Sequence, residues 1–264
     1  MNAQTSKKSH QQEIILSLLK RKKSLRTQEA ARLLHVSECT VRRLFEELEQ
    51  QGELIRVYGG ANLAPGKGEP YFFENFQLFM TEQKERIGNY ASSLVNSGDL
   101  IYLDSGTTIQ QMAIALAGRL QRGELRDIQV FTNSLRNLNI LADHCEINLI
   151  GGMFRSSRQD FCGYLSELVL ERVSFPKCFM GADGVSVNPR DGVMATDAFT
   201  AKNSQQVVKR AGTVYLLADS SKCTRRSFIN YASLSDVYIL ITDSGLSDAL
   251  EQEIHAQGPM VVRS

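Results

Sequence analysis

Residues 36–61, VSECTVRRLFEELEQQGELIRVYGGA, decide how the chain begins. Val41, Leu44, Phe45 and Leu48 fall on one helix face, and the Ser37 hydroxyl stands where it can accept the orphan N–H groups that open a helix. Gly52 supplies a left-handed residue to stop it. Glu53–Ala61 then alternates like a strand and turns at Gly59 and Gly60, as a β-wing does beside a helix. Working upstream, Val36 plugs inward from a tight turn at His35–Ser37. A short helix precedes that turn, capped by Thr27 and buried through Ala30, Ala31 and Leu34. The basic run KRKKS at Lys20–Ser24 separates it from a first helix over Gln11–Leu19, whose apolar face is Ile14, Ile15, Leu18 and Leu19. Two short helices joined by a tight turn and followed by a wing form a winged helix-turn-helix pattern, which places its second helix in a DNA major groove.

On that reading the candidates for DNA contact are Thr27 and Gln28 at the start of the second helix, and Ser37, Glu38, Cys39, Thr40, Arg42 and Arg43 at the start of the third. Arg56 and Tyr58 on the wing complete the set. Arginine suits guanine edges and phosphates alike, so Arg42 and Arg43 could read bases, anchor the backbone, or divide the two tasks. The competing possibility is a pair of surface ion pairs with Glu46 and Glu47 at i+4. Charge agrees with a polyanionic partner. Of 30 Lys or Arg and 29 Asp or Glu in the 264 residues, ten basic residues lie in residues 1–45 against Glu13, Glu29 and Glu38, leaving 20 basic and 26 acidic residues for the rest. The two parts of the chain should face different partners.

The composition, 42% hydrophobic and 22% charged, is that of a folded globular protein with room for one small and one larger domain. Cys39, Cys145, Cys162, Cys178 and Cys223 are scattered and odd in number, which argues for free thiols in a reducing cytoplasm. Neither they nor the four histidines cluster as a metal site requires. No metal or cofactor is expected. Charged residues interrupt every apolar run, so no membrane span is expected either.

Residues 62–70, NLAPGKGEP, are loop chemistry, and the aromatic run Tyr71–Phe79 that follows is spaced for packing through Phe72, Phe76 and Phe79. We therefore expect a DNA-binding domain over 1–63, a linker over 64–80 and a second domain over 81–264. In the last, DLIYLDSG, IQVFTNS, INLIGG, CFMGADGV, TVYLLADSS and VYILITDSG read as strands separated by helical stretches. This is the βαβ alternation of an α/β fold with a mostly parallel sheet. Each of these strands ends in small or polar residues, and open α/β sheets bind ligands at that rim.

The most informative of these loops is DSGTT, Asp104–Thr108. Gly106 lets the backbone come close, while Ser105, Thr107 and Thr108 offer hydroxyls and N–H groups at a helix N-terminus, where the dipole favours an anion such as phosphate. No GK[ST] pattern accompanies it, so triphosphate hydrolysis is not implied. Asn133 and Ser134, Gly152 and Arg155, Asp183 and Gly184, and Lys222 occupy the corresponding loops of later strands. Arg155 and Lys222 are candidates to neutralise a phosphate, and Asp104, Asp183 and Asn133 to hold sugar hydroxyls.

VSECTVRR followed by LEQQGELIRVYGGA resembles the N-terminal domain of the DeoR family of bacterial regulators, over roughly Ser9–Ala64. The order DSGTT, TNS, IGGMFR, FxGADGV and LLADSSK resembles the effector domain of the same family, with a layout similar to the sugar-phosphate isomerase superfold. The resemblance implies a repressor of a carbohydrate-utilisation operon that binds double-stranded operator DNA as a homo-oligomer, dimer or tetramer, and answers to a phosphorylated sugar. Two departures stand out. Leu44-Phe45 replaces the family's usual Asp-Leu after the arginine pair. Beyond the GADG loop, Asp197 and Lys202 fit the acidic-then-lysine pattern loosely, with Thr200 near the place of a glutamate. The alternative is an isomerase-like enzyme with an attached DNA-binding segment, for which Asp104, Asp183 and Lys222 would have to supply base and acid. A dedicated glutamate or histidine base is missing from these loops, so no catalytic residue is assigned. A larger domain that merely dimerises would be a third possibility.

Overall fold

The computed structural model describes residues 3–22, 24–50, 53–57, 59–63 and 72–264. Gly52, Tyr58 and the segment 64–71, which carry expectations above, lie outside the described residues. The chain divides into two compact units, residues 1–70 and 71–264.

The smaller unit runs α1 (Ala3–Lys22), β1 (Ser24–Arg26), α2 (Thr27–Leu34), α3 (Glu38–Gln50), β2 (Leu54–Val57) and β3 (Gly60–Leu63). Its core is the set of apolar faces that the helix periodicity selects: Ile15, Leu19, Ala30, Val41, Leu44, Phe45 and Leu48, closed by Leu25, Leu54 and Ala61 from the strands. Leu44 and Phe45, the residues that depart from the family pattern, both point into this core. Between α2 and α3 the backbone turns at His35, left-handed at φ 52°. The Ser37 hydroxyl then caps α3 by accepting the Thr40 N–H at 3.2 Å.

Two local expectations are corrected. The basic turn after α1 gives way to a strand at Ser24, because β1 pairs antiparallel with β3 and makes the wing a three-stranded sheet in the order β1-β3-β2. Thr27 is not the cap of α2. Arg26 holds the cap position in extended conformation without a side-chain bond, and Thr27 is the first helical residue. Its N–H is satisfied at 2.9 Å by the Gly59 carbonyl of the wing turn, so no side-chain acceptor is needed.

The larger unit opens with α4 (Phe73–Gln77) and α5 (Thr81–Ser93). It continues through β4 (Leu100–Leu103), α6 (Thr107–Gln121), β5 (Gln129–Thr132), α7 (Leu135–Leu141), β6 (Glu146–Leu149), β7 (Met153–Arg155), β8 (Asp160–Cys162) and α8 (Tyr164–Leu170). Then come β9 (Phe175–Gly181), β10 (Gly184–Val185), β11 (Val193–Ala195), α9 (Ala198–Lys209), β12 (Ala211–Leu217), α10 (Ser220–Cys223), β13 (Ile229–Ala232), β14 (Ile239–Thr242), α11 (Asp248–His255) and β15 (Met260–Arg263). Seven of the strands form one parallel sheet in the order β15-β14-β12-β9-β4-β5-β6. Strand β15, the hairpin β7-β8 and the small antiparallel sheet β10-β11-β13 were not legible in the alternation of apolar runs.

Successive side chains of the central strands enter opposite cores, as the period of two requires. Tyr102, Cys178, Met180, Val214, Leu216 and Leu240 pack on one face with Leu170, Ala201, Val207 and Ile254. Ile101, Leu103, Phe179, Tyr215, Leu217, Ile239 and Ile241 pack on the other with Ile87, Ala91, Met112 and Ala113. The result is a three-layer sandwich whose central strands are buried on both sides. The segment 72–80, expected in the linker, folds as part of this unit because Phe73, Phe76 and Phe79 are buried in it; Phe72, expected to pack with Phe76 and Phe79, is exposed, and its neighbour Phe73 takes the buried place.

Gly60 marks the tightest contact of the wing, since a Cβ there would lie 2.4 Å from the Leu25 carbonyl oxygen. Gly60→Ala should destabilise the smaller unit by about 1–3 kcal/mol through overpacking. Calorimetry should show an earlier melting of that unit with the transition of the larger unit unchanged.

Candidate functional site

From β4 the sheet grows through β5 and β6 on one side, and through β9, β12, β14 and β15 on the other. The chain therefore reverses direction between β4 and β9, and a crevice opens beyond the carboxyl ends of these two strands. The register sets Leu103 beside Phe179, so Asp104 and Gly181 emerge as neighbours. The Asp104 carboxylate spans the crevice, accepting the Ser105 N–H at 2.8 Å and the Gly181 N–H at 3.2 Å.

A pocket of about 500 Å³, its open mouth included, fills this crevice. Of the residues expected there, Asp104, Ser105, Gly106, Thr107, Thr108, Asp183 and Lys222 line it together. Gly106 sits at the cap of α6 with φ 120°, a conformation rare for side-chain-bearing residues, and leaves the first N–H groups of α6 at the pocket. Lys222, on α10, is 6% exposed, and its ammonium lies 5.0 Å from the centre of the Phe76 ring.

Five expected residues are placed elsewhere, each with a structural task. Asn133 accepts the Tyr102 hydroxyl at 3.1 Å and donates to the Phe161 carbonyl at 3.1 Å. Ser134 caps α7. Gly152 permits a backbone approach, since a Cβ would lie 2.5 Å from the Ser166 hydroxyl. Gly184 does the same in β10, where a Cβ would lie 2.5 Å from the Arg225 carbonyl. Arg155 is tied up behind the pocket wall: it binds both oxygens of the fully buried Asp160, at 2.8 and 2.6 Å, together with Asp197 at 2.7 Å and the Thr200 hydroxyl at 2.9 Å.

The cation that reaches the pocket from this hairpin is Arg158, which sequence reasoning passed over. It lies three residues beyond Arg155 and pairs with Asp183 at 3.2 Å, Asp197 at 3.4 Å and the Thr196 hydroxyl at 2.8 Å. The repeated Arg-x-x-Arg ahead of Asp160 was the available signal. Thr200, Tyr231, Met194 and Phe76 are further lining residues not assigned from sequence, whereas Lys202 is exposed.

The two pocket carboxyls are tuned apart. Burial pushes Asp104 up to about 7, with Asp160 adding to the effect, against the N–H bonds of Ser105 and Gly181. Asp183 is buried as well, but Arg158 and Lys222 outweigh that and hold it below the usual carboxylate range. Beneath Phe76, burial pulls Lys84 down to about 7; the Asp219 charge opposes this and Lys222 reinforces it.

In the smaller unit, α3 presents Cys39, Arg42 and Arg43 as exposed side chains, with Glu38 and Thr40 half-buried. A groove between α3 and the wing is lined by Arg26, Gln28, Glu38, Arg42 and Arg56. Thr27 touches this groove but is 6% exposed, so it offers little to a partner. Arg42 pairs with Glu38 at 3.4 Å rather than with Glu46, Arg56 pairs with Glu49 at 2.6 Å, and Glu47 is taken by Lys8 at 2.7 Å. Arg26, exposed on the unforeseen strand β1, is an added basic group on this face.

Residues 11–65 match the family model described as the DeoR-like helix-turn-helix domain, and residues 80–244 match the DeoR C terminal sensor domain. The chain belongs to the DeoR family. Among curated relatives of this DeoR-family chain is the lactose phosphotransferase system repressor of Streptococcus mutans, 33% identical over 93% of this chain and 96% of that one. The transcriptional repressor GlcR of Bacillus subtilis is 32% identical over 87% and 86%. The regulator GlpR of Haloferax volcanii is 30% identical over 87% of each chain. A solved D-ribose-5-phosphate isomerase in complex with phospho-erythronic acid is similar at 22% identity, over 54% of this chain and 53% of that one, with a TM-score of 0.41. The chain is a DNA-binding transcriptional regulator with a sensor domain, and not an enzyme. No helix among the described residues is long and apolar enough to cross a membrane.

The raised Asp104 carboxyl has a measurable consequence. The folded chain holds a proton there that the unfolded chain releases near its ordinary 3.8, so the Asp104 contribution is full below about pH 4 and is lost as pH rises towards about 7. The melting temperature of the larger unit should fall across that window, and Asp104→Asn should flatten the slope in melting curves taken from pH 4 to 7.

Proposed function

We propose that this regulator is a repressor of genes for the use of a carbohydrate, and that a phosphorylated sugar in the pocket at the β4/β9 switch point controls its affinity for operator DNA. The observation that carries the reading is the convergence on one crevice of the α6 N-terminus, Lys222 and Arg158 with two carboxyls, Asp104 and Asp183. The N–H groups of α6 and the two cations suit a phosphate dianion. The carboxyls and the hydroxyls of Ser105, Thr107 and Thr108 suit a polyol. Relatives named as repressors of sugar systems support the same direction.

The reading extends to a DNA-binding head over residues 1–63 and an effector-binding body that, with the segment 72–80 added to the expected 81–264, covers 72–264, acting in the cytoplasm as a homo-oligomer, dimer or tetramer. Operators are read by pairs of heads, so a ligand that changes their spacing changes affinity. It can do so only by binding the DNA-competent and DNA-incompetent forms unequally. In the head, Arg42 and Arg43 on α3, with Arg56 and Tyr58 on the wing, are assigned to DNA. Gln28, Ser37, Glu38, Cys39 and Thr40 flank them.

Two variants separate the functions. Replacing Arg42 and Arg43 with Ala should abolish binding to duplexes selected by the wild-type chain from a random pool, while any melting shift that the wild-type chain shows with hexose phosphates such as glucose 6-phosphate persists. Lys222→Glu should bind the same duplexes and lose both the melting shift and the response of DNA binding to these compounds. Retained duplex binding in the first variant, or a normal sugar-phosphate response in the second, would remove those residues from their assigned sites.

A further inference from the structure

The segment 72–80 is fastened at both ends and meets the pocket at its middle. At its start, the Phe73 N–H donates to the Ser157 carbonyl at 2.8 Å, next to Arg158. Arg136 pairs with Glu74 at 3.2 Å and lies 5.5 Å from the centre of the Phe73 ring. In the middle, Phe76 forms part of the pocket wall and meets the Lys222 ammonium. At its end, the Lys84 ammonium donates to the carbonyls of Phe76 at 2.6 Å and Phe79 at 2.5 Å.

Lys84 is an unusual fastening. It is 2% exposed, it is the one lysine among the largest fully buried side chains of the described residues, and its hydrogen bonds go to backbone carbonyls and not to a carboxylate. A buried ammonium is costly unless its protons are bonded, and here the bonds go to the backbone of α4 and the turn after it. Cations are favoured at carbonyl ends of this kind. The remaining charges that act on it are Asp219, which favours the ammonium, and Lys222, which opposes it.

We propose that Phe76 is a ligand-contacting wall of the sensor pocket and that Lys84 is its positioning residue, through which an anion in the pocket tightens the segment 72–80. An anion seated on Lys222 and the α6 N-terminus cancels the repulsion between the two lysines. Lys84 then holds its proton more firmly and binds the Phe76 and Phe79 carbonyls more strongly. The anion-dependent part rests on the sensor reading above; the fastening itself does not.

Hydrogen exchange on the full-length chain, read at the amides of 73–80 and at β4 as an internal reference, tests both parts. Without ligand, Lys84→Met should speed exchange at 73–80 roughly tenfold or more, the loss of two charge-assisted bonds, while β4 stays protected. Lys84→Arg, which keeps a cation and donors for both carbonyls, should restore protection. Unchanged exchange in Lys84→Met, or equal loss at β4, would overturn the positioning role. With inorganic phosphate or glucose 6-phosphate, wild-type exchange at 73–80 should slow several-fold and that of Lys84→Met should not. If either compound raises the melting temperature yet leaves 73–80 unchanged, the coupling is refuted. If neither compound shifts the melting temperature, the sensor reading for these anions fails, and the ligand-free comparison still decides the role of Lys84.

Discussion

The pairing of β4 with β9 is the constraint on which the larger unit depends. Each strand is buried on both faces, and each sends its next segment away from the other, so the crevice beyond Leu103 and Phe179 has no helix of its own to close it. Asp104 closes it instead, its carboxylate accepting N–H groups from both sides. A side chain in that position must be short, must accept two bonds and must survive near-complete burial. An aspartate whose proton affinity is raised meets all three conditions. The same arrangement leaves the N-terminus of α6 and the β9 loop, with Asp183, facing one volume. A pocket lined by a helix N-terminus and two carboxyls therefore follows from strand order more than from any single motif.

The β7-β8 hairpin adds the cations, and its placement explains why one arginine lines the pocket while its neighbour does not. Asp160 is fully buried and takes the Nε and Nη2 donors of Arg155, one on each carboxylate oxygen, with Ser105 adding a hydroxyl at 3.1 Å. Removing either partner of such a pair strands a charge in the interior, at about 3–5 kcal/mol. Arg155 is thereby committed to structure. Arg158, one turn of the hairpin further on, shares its charge among Asp183, Asp197 and a more distant Asp160 at 3.9 Å.

Most of the fold was legible because burial imposes a period on the sequence. The helix faces of α1 to α3 and the two-sided strands β4, β5, β9, β12 and β14 were read from spacing. What escaped was set by partners distant in sequence. Strand β1 exists because β3 passes beside it, and Thr27 yields its capping role because the wing turn brings the Gly59 carbonyl to its N–H. The candidate pocket divides in the same way. DSGTT and the GADG aspartate could be read locally, since strand ends announce themselves. Asn133, Ser134 and Gly152 carry the same letters but spend them on tertiary bonds and close backbone approach, and nothing local distinguishes the two uses. Arg158 and Phe76 reach the pocket through a hairpin and a segment whose course depends on the assembled sheet.

The internal ion pairs of the two units are of very different strength, and that difference fits a regulator. On the face formed by α3 and the wing, Arg42 with Glu38 and Arg56 with Glu49 are pairs between partly exposed side chains, worth about 0–1 kcal/mol each. Pairs of that strength leave both arginines open to an exchange of partner at little cost. In the pocket, Arg158 and Asp183 pair with each other while largely withdrawn from water, at 11% and 12% side-chain exposure, so breaking that pair rearranges a strong interaction. A site built of strong, mutually exclusive bonds changes between discrete arrangements. A site built of weak ones adapts continuously. The discrete behaviour belongs where a signal is sensed, and the adaptable one where many DNA sequences must be sampled before the right one is held.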